Sequence, residues 1–415
     1  MPHRKIVDHL FRHQYGKMVA ILSRIFGLAH LELIEDAIQD TFIKATLQWR
    51  SGLPENPEGW LTQAAKNRVV DLIRQINAEH ERHQKVSHGT IALEISEFFL
   101  DHEVADSQLR MILVAGHPAL STEEQIAFAL KTISGFSMKE IAAALLLKEE
   151  TIKKRLIRAR KKIKDQQIKL AYPLPHEVES RMAVVLQVIY LIFNEGFHST
   201  KPGSLISKDL CGEALRLCKL LLVREPFRSG RLYALFALCC FHTSRLETKI
   251  NTNNEIVDLQ YQDRSRWYKP LIVLGNRAIQ KSFEYNERSL YHYEAAIAAE
   301  HLKARSFEDT DWYRILALYQ HLYELQPSDN VLLSMASVHL QANQPSQAKS
   351  LLDQISTDGL SQRAYLLHGC CAEYYFRTGQ SQQALTEIDQ AITLCTNDLE
   401  RAYLTKKRGQ ITSVV

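Results

Sequence analysis

Apolar residues recur at helical spacing along nearly all of the 415 residues of this chain. No convincing stretch alternates between apolar and polar residues as a half-buried β-strand does. The pattern therefore predicts an all-α fold. At roughly 150 residues per domain, the length predicts two or three domains, each able to bury a core of its own.

Prolines and charge divide the chain into four regions. We expect a first helical unit in residues 1–78, a polar and acidic linker in residues 79–108, and a second small helical unit in residues 109–170. Residues 171–415 form a longer helical array. The joint at residues 171–175 is the clearest boundary, since two prolines two positions apart cannot continue the preceding helix.

The cysteines and the hydropathy argue against several classes of protein. All seven cysteines follow residue 210, their number is odd and no CxxC pair occurs, which disfavours a disulfide framework or a cysteine-rich zinc site. No apolar run approaches the roughly 20 residues that cross a bilayer. We therefore expect a cytoplasmic protein with no membrane partner, no metal and no cofactor.

The basic charge is concentrated in one short segment. Residues 171–415 carry 26 positive and 26 negative side chains, so the formal net charge of +4 belongs to the first 170 residues. Within them, residues 148–164 hold nine Lys or Arg and only two Glu. Cations grouped in this way would release counterions from DNA and give salt-dependent binding.

Two short helices are predicted around this segment. Ser137 and Glu140 have capping-box spacing, which starts a helix, and Ser121 and Glu124 repeat that spacing one helix earlier. The basic helix follows, with an apolar face formed by Ile152, Leu156, Ala159 and Ile163. The pair is typical of a helix-turn-helix that binds DNA through its second helix. A basic helix that is only solvated is the alternative, but it would not require such a compact unit.

An acidic helix is predicted over residues 33–42. Its apolar side faces a core, and its polar side carries Glu35, Asp36, Gln39 and Asp40. Asp36 and Asp40 are like charges at i,i+4, which destabilises an isolated helix by a few tenths of a kcal/mol. A basic partner would remove this repulsion.

A further helix begins at Asn56 and Pro57, which are suited to the N-cap and to the first helical position. Its core side is formed by Trp60, Leu61, Ala64, Val69, Leu72 and Ile73. Its polar side, which is left for a partner, is formed by Lys66, Asn67, Arg68, Asp71 and Arg74.

The order of these segments resembles the bacterial RNA polymerase sigma factors of the extracytoplasmic-function type, in the sigma-70 family. The resemblance rests on residues 35–42, residues 60–74 and the helix-turn-helix at residues 135–160. The rest of the chain resembles a subgroup that adds a large tetratricopeptide-like extension. Its marks are residues 116–121, 188–197, 263–267 and 295–301.

The resemblance implies roles for individual residues. Docking on the clamp helices of the largest polymerase subunit would use Glu35, Asp36, Gln39 and Asp40, while the second helical unit would meet the flap region. Capture of a non-template base of the melted minus-ten element would use Arg50, Lys66, Asn67, Arg68 and Asp71. Recognition of the minus-thirty-five element in the major groove would use Thr151, Lys153, Lys154, Arg155, Ile157 and Arg158.

The last region contains an internal echo, in which Ala336, Ala348 and Leu352 recur 36 positions later as Ala372, Ala384 and Ile388. This spacing is typical of tetratricopeptide-like helix pairs, which stack on one another.

Polar residues within apolar helices need partners. We therefore expect either an internal network, such as Glu195 or Asp263 with Arg264 or Arg266, or contacts with a protein or small-molecule regulator. The residues concerned are Asn194, Glu195, Asp263, Arg264, Arg266 and Trp267.

The sequence therefore predicts a sigma factor, which binds core RNA polymerase and promoter DNA, initiates transcription and catalyses no reaction. The extension would modulate its activity in cis. One alternative is a helix-turn-helix regulator with a tetratricopeptide sensor, but such a regulator needs neither the acidic helix nor residues 60–74. A second alternative is an enzyme with a site near Glu300, His301 and Asp311, but no nucleophile elbow, phosphate loop or HExxH pattern supports it.

Overall fold

The computed structural model describes residues 2–80, 101–145, 147–199, 205–360 and 363–413. Within these ranges the chain is helical and contains no β-strand, which confirms the predicted all-α fold. Residues 81–100, most of the predicted linker, lie outside the described ranges. None of the helices in the described part of the chain combines the length and the apolarity needed to cross a bilayer.

The chain forms two compact units. The first unit comprises Met1–Phe193 and Gly212–Phe227, and the second comprises Asn194–Cys211 and Arg228–Val415. The helices of the first unit are Pro2–Phe26, Leu31–Gln48, Pro57–His80, Asp101–Ala115, Thr122–Ser134, Met138–Ala144 and Glu149–Asp165. The helices Val178–Phe197 and Lys208–Val223 have residues in both units.

Local capping explains where several helices of the first unit begin. Both predicted capping boxes are present, Ser121 with Glu124 and Ser137 with Glu140. Asn56 is an N-cap as predicted, because its Oδ1 accepts a hydrogen bond of 2.9 Å from the backbone N–H of Gly59. These bonds join residues three positions apart, so the helix starts depend on the local sequence.

The predicted regions 1–78 and 109–170 pack together within the first unit. The closest approach is at Gly16, where an added Cβ atom would lie 1.9 Å from the carbonyl oxygen of Ile133. An ion pair between Arg12 and Glu140 joins the same two regions. Because Gly16 has no side chain, the first helix and the helix Thr122–Ser134 meet backbone to backbone.

The first unit extends past the predicted joint at residues 171–175. Val185 and Val188, on the helix Val178–Phe197, line a small apolar cavity together with Ile112, Ala129 and Ile133. The buried Arg181 of the same helix donates a hydrogen bond of 3.4 Å to the carbonyl oxygen of Leu113. The apolar side of this helix therefore completes the core of the first unit.

The second unit is built of helix pairs, and the internal echo marks equivalent positions in two of them. The six echo residues Ala336, Ala348, Leu352, Ala372, Ala384 and Ile388 are all buried. The turn within each pair has a residue of positive φ, Asn343 in the first pair and Gly379 in the second. The helices of this unit are Gly230–Thr243, Lys269–Ser282, Leu290–Lys303, Trp312–Leu325, Asp329–Gln341, Pro345–Leu352, Thr357–Leu360, Ala364–Arg377, Ser381–Leu394 and Asp398–Thr412.

Candidate nucleic-acid interface

The basic helix spans Glu149–Asp165 and follows the short helix Met138–Ala144, so the two form the predicted helix-turn-helix. Lys148 occupies the N-cap with extended backbone angles and gives no side-chain cap. Two glutamates in the first turn favour a helix start there through the helix dipole. The four residues predicted to form the apolar face, Ile152, Leu156, Ala159 and Ile163, are all buried.

The outward side of the basic helix is open. Lys153 and Lys154 are exposed, as are Ile157 and Arg158, whereas Thr151 and Arg155 are half-buried. Thr151, Lys154, Ile157 and Arg158 line a shallow recess of about 300 Å³. The residues predicted to read DNA therefore lie on one accessible, positively charged side of the helix.

The inner edge of the basic helix is anchored by Glu124. Nζ of Lys162 lies 2.7 Å from this buried carboxylate, and Nε of Arg158 lies 3.7 Å from it. Burial alone would raise the pKa of Glu124, but the hydrogen bonds and charge of Lys162, with the backbone of Ser121 and the charge of Arg158, hold that pKa below its usual value. Glu124 thus caps its own helix and fixes the basic helix against it.

Glu35 of the acidic helix does not lie on an open surface. Its side chain is 1% exposed and forms an ion pair with Arg160 of the basic helix. Burial raises the pKa of the Glu35 carboxyl, partly opposed by the positive charges of Arg160 and Lys131. The prediction that Glu35 faces a partner with its neighbours is therefore wrong for this conformation, because the packing of the basic helix covers it.

The remaining acidic side chains are accessible. Asp36 is exposed, and Gln39 and Asp40 are half-buried. Partial burial and the negative charges of Glu32 and Asp40 raise the pKa of Asp36. The like-charge repulsion that the sequence indicates is therefore present, and Arg68 offsets part of it by lying 3.1 Å from Asp40.

The helix Pro57–His80 presents polar residues beside the acidic helix. Its buried residues are Leu61, Ala65 and Val69, while the predicted core residues Trp60, Ala64 and Leu72 are half-buried and the side chain of Ile73 lies outside the described residues. The rings of Trp49 and Trp60 pack edge to face at 5.5 Å.

The candidate base-capturing residues lie on the outer side of this packing. Asn67, Asp71 and Arg50 are exposed, and Lys66 and Arg68 are half-buried. Asn67 accepts a hydrogen bond of 2.9 Å from Gln63. The ion pair of Arg68 with Asp40 connects this polar surface with the acidic one.

In the second unit, the polar residues predicted to form a network have other partners. Arg264 donates to the backbone carbonyl oxygens of His301, at 2.6 Å, and Ala304, at 2.8 Å. Asp263 instead caps its own turn by accepting from the backbone N–H of Ser265.

The other four residues of the expected network lie around this turn and on the helix Val178–Phe197. Trp267 is buried and donates to Oγ1 of Thr248 at 3.1 Å. Arg266 is exposed and Asn194 half-buried. Glu195 is buried and accepts from Oγ of Ser199 at 3.4 Å.

Two groups of residues escaped the sequence analysis. Glu124 was recognised only as a capping residue, since its contact with Lys162 spans 38 positions. Arg245 and Lys249, in the second unit, occur in a polar stretch whose spacing carries no signal of a site, yet the side chain of Lys249 is buried.

Comparisons with protein families match three parts of the chain. Residues 10–79 match the family described as sigma-70 region 2, and residues 110–163 match the family described as sigma-70, region 4. Residues 181–283 match a family of unknown function, DUF6596.

Two similar proteins extend this result. The chain is 33% identical to an uncharacterized protein of Rhizobium meliloti (strain 1021) over 379 residues, which cover 90% of this chain and 89% of that protein. It is 29% identical to the ECF RNA polymerase sigma factor SigE of Mycolicibacterium smegmatis over 168 residues, which cover 38% of this chain and 60% of that protein. No solved structure matches the chain.

Proposed function

This chain belongs to the sigma-70 family, as a sigma factor of the extracytoplasmic-function type with a helical C-terminal extension, and from that premise we propose that it binds core RNA polymerase and directs it to promoters. The observation that carries the proposal is the arrangement of the first unit. One open basic surface and one open acidic surface lie on separate helices of this unit, as a protein that joins DNA to a second macromolecule requires.

The basic helix reads the minus-thirty-five element. Lys153, Lys154 and Arg158 supply donors for base edges and phosphates in the major groove. Thr151 and Arg155, which are half-buried at the edge of the same surface, position the helix by contacts with the phosphate backbone. The ion pair of Lys162 with Glu124 supports this role, because it holds the helix in a fixed orientation.

The minus-ten element is captured by the polar side of the helix Pro57–His80. Asn67 and Arg68 hold a non-template base, with Lys66, Asp71 and Arg50 around them. Holding a base outside the stack replaces base stacking by contacts in a pocket, at a cost of a few kcal/mol.

Docking on the clamp helices of the largest polymerase subunit uses Asp36, Gln39 and Asp40. Partial burial and the negative charges of Glu32 and Asp40 raise the pKa of Asp36, which supports this assignment because a basic partner would relieve the repulsive part of that shift. Glu35 is left out of the docking surface in this conformation. The helix-turn-helix unit meets the flap region.

A pull-down with purified bacterial core RNA polymerase tests this function. We compare the wild-type chain with the variant Asp36→Arg/Asp40→Arg and with a control, Glu55→Arg/Glu225→Arg, which reverses two exposed charges of the same unit. Binding by the wild type and the control, with loss in the acidic-helix variant, is the expected result. If none of the three binds core while DNA binding persists, the chain is a free-standing helix-turn-helix regulator.

The extension modulates this activity in cis. A covalently attached domain acts at a high effective concentration, about millimolar for a short linker, so it can respond to a protein or small-molecule regulator without a separate masking protein. Because core polymerase and promoters are cytoplasmic, the chain acts in the cytoplasm.

Promoter-dependent transcription by the full chain and by a chain ending after Phe227 tests the role of the extension. A chain ending at Leu170 is less suitable, because it would lack Val185 and Val188, which complete the core of the first unit. Equal transcription by the two proteins would exclude modulation in cis.

A further inference from the structure

Lys249 is a buried cation of the second unit without an acidic partner. Lys249 is 8% exposed, and its Nζ donates a hydrogen bond of 2.7 Å to the carbonyl oxygen of Phe197. In the part of the chain that the structure describes, no carboxylate oxygen lies within 4.0 Å of this nitrogen. Lysine is almost never buried in this way unless its charge is paired.

The ring of Phe197 is surrounded by two cationic side chains and by two imidazole rings, whose pKa values are lowered by burial and by the neighbouring positive charges. Nζ of Lys249 lies 3.5 Å from the ring centroid, and Cζ of Arg245 lies 5.6 Å from it. The imidazole rings of His242 and His198 lie 4.7 and 5.0 Å from the Phe197 ring. An aromatic face attracts a cation, but it supplies only part of the energy of a full counter-charge.

Two arginines extend this group of cations. Arg245 contacts Nδ1 of His242 at 3.3 Å, and no carboxylate of the described residues lies within ion-pairing distance of its guanidinium. Nη1 of Arg264 bonds to backbone carbonyls, whereas its buried Nη2 has no hydrogen-bond partner among the described residues. Such a buried donor can be satisfied by a water molecule or by an acceptor atom of a ligand.

The electrostatics of the group agree with this geometry. Desolvation and the charge of Arg245 lower the pKa of Lys249 to about 7. Desolvation and the charges of Arg245 and Arg264 lower the pKa of His301 to about 4. Positive charges in this region therefore oppose one another, and only weak negative influences, from Cys211 and Glu400, act on Lys249.

A groove of about 960 Å³ reaches this group at His301. The groove is lined there by the aromatic residues Phe307, Trp312 and Tyr319. Its volume lies in the range of small-molecule sites, which combine apolar walls with a few fixed polar groups. His301 is the residue through which the groove meets this group, and the backbone carbonyl oxygen of His301 accepts a hydrogen bond from Arg264.

We propose that Arg245, Lys249 and Arg264, together with the neutral imidazoles of His198, His242 and His301, here named the basic cluster, bind the carboxylate or phosphate group of a small-molecule effector. Guanidinium groups hold such oxyanions through paired charge-assisted hydrogen bonds. Lys249 adds a further donor that is shielded from water. This assignment gives the extension a ligand chemistry, and it stands independently of whether the first unit binds polymerase.

The competing account is that Lys249 is simply neutral in the folded chain and that the cluster binds nothing. The two accounts differ in their response to anions, because an oxyanion that binds a site stabilises the chain saturably, whereas the general exclusion of sulfate from protein surfaces raises stability without saturation. Thermal unfolding of the full-length chain distinguishes them. Sulfate serves as the phosphate-like probe and acetate as the carboxylate probe, with chloride used to hold the ionic strength constant.

We expect a saturable rise of the Tm with at least one of the two anions. A response to sulfate alone assigns a phosphate-bearing ligand, and a response to acetate alone assigns a carboxylate. Lys249→Met and Arg245→Gln should each weaken the apparent affinity about tenfold or more, as loss of a charged hydrogen bond does. The matched control is Lys269→Met, which removes the same charge from an exposed position of the second unit.

Either of two results would overturn the proposal. One is the absence of a saturable response to both anions in the wild-type chain. The other is an undiminished response in both cluster variants, which would mean that the anions act elsewhere on the surface. Since Arg245 is only half-buried, Arg245→Gln keeps the test decisive even if Lys249→Met disturbs folding.

Discussion

Arg160 of the basic helix and Glu35 of the acidic helix form an ion pair across 125 positions of sequence. The carboxylate is 1% exposed and the guanidinium 22% exposed, so the pair lies largely out of water. Burial alone would lower the pKa of Arg160, but the charge of Glu35 raises that pKa above its usual value. The pair therefore ties the candidate polymerase surface to the candidate DNA-reading helix within one unit.

Glu35→Gln should strongly destabilise the first unit, because it leaves the largely buried charge of Arg160 with only the exposed and more distant carboxylate of Glu32 as a counter-ion. Removing one partner of a buried pair costs about 3–5 kcal/mol. The control is Glu32→Gln, whose carboxylate is 75% exposed and lies 3.8 Å from Arg160, and which should cost less than about 1 kcal/mol. Urea unfolding measures both, and similar values for the two variants would contradict the structural role of the pair.

Lys154→Ala/Arg158→Ala should weaken promoter binding and lower its salt dependence. Both side chains are exposed on the outward side of the basic helix. For every phosphate that the variant no longer neutralises, the slope of log K against log salt falls by about 0.9. Filter binding over a salt series measures this slope, with Lys208→Ala/Lys269→Ala as the control that removes two charges from the second unit. An unchanged slope would mean that this helix does not contact DNA.

Gly16→Ala should destabilise the first unit, since the new methyl group would meet the Ile133 carbonyl oxygen at 1.9 Å. Backbone cannot move aside as a flexible side chain does, and we expect a loss of about 3 kcal/mol. Gly212→Ala is the control, because a Cβ atom there would meet nothing within 4 Å. It should instead stabilise its helix by up to about 1 kcal/mol. Thermal unfolding measures both variants, and equal stability of the two would contradict the close contact between Gly16 and Ile133.

Lys249→Met should change the pH dependence of stability. The ordinary pKa of lysine is about 10.4, and in the folded chain that of Lys249 is lowered to about 7. Between these two values the unfolded chain binds a proton that the folded chain lacks, so wild-type stability rises with pH in this window, by up to about 1.4 kcal/mol per pH unit.

The Lys249→Met variant lacks this proton uptake on unfolding. The excess of its free energy of unfolding over that of the wild type should therefore be largest near pH 7 and shrink toward pH 10. The charge of Arg245 adds to the lowering of this pKa by burial, while Cys211 and Glu400 act in the opposite direction, and His198 lies near Lys249. Urea unfolding at a series of pH values measures the difference. A constant difference between pH 7 and pH 10 would exclude a lowered pKa.

The features that could be predicted from the sequence are local ones. The capping boxes at Ser121 and Ser137 depend on residues three positions apart, and the buried face of the basic helix follows from helical periodicity. For the same reason the internal echo correctly predicted buried small residues in the second unit. The capping and periodicity patterns are encoded within one or two turns of helix, and the echo repeats after 36 positions.

The contacts that the sequence did not reveal join distant segments. The burial of Glu35 depends on Arg160. A glycine is required at position 16 only because the backbone of Ile133 lies against it. Likewise, Arg245 and Lys249 flank one short turn and meet the ring of Phe197 at the end of another helix, so no spacing within one helix indicates this contact. Tertiary packing determines each of these features.

Ile157 is 52% exposed among the lysines and arginines of the outward side of the basic helix. An aliphatic side chain has no hydrogen-bonding atom, so in the major groove it can distinguish a base pair only through the methyl group of thymine. The centre of the reading surface is therefore suited to methyl recognition and is indifferent to donor and acceptor patterns. A promoter duplex with uracil in place of that thymine should bind more weakly with an unchanged salt slope, and equal binding would assign Ile157 no part in base selection.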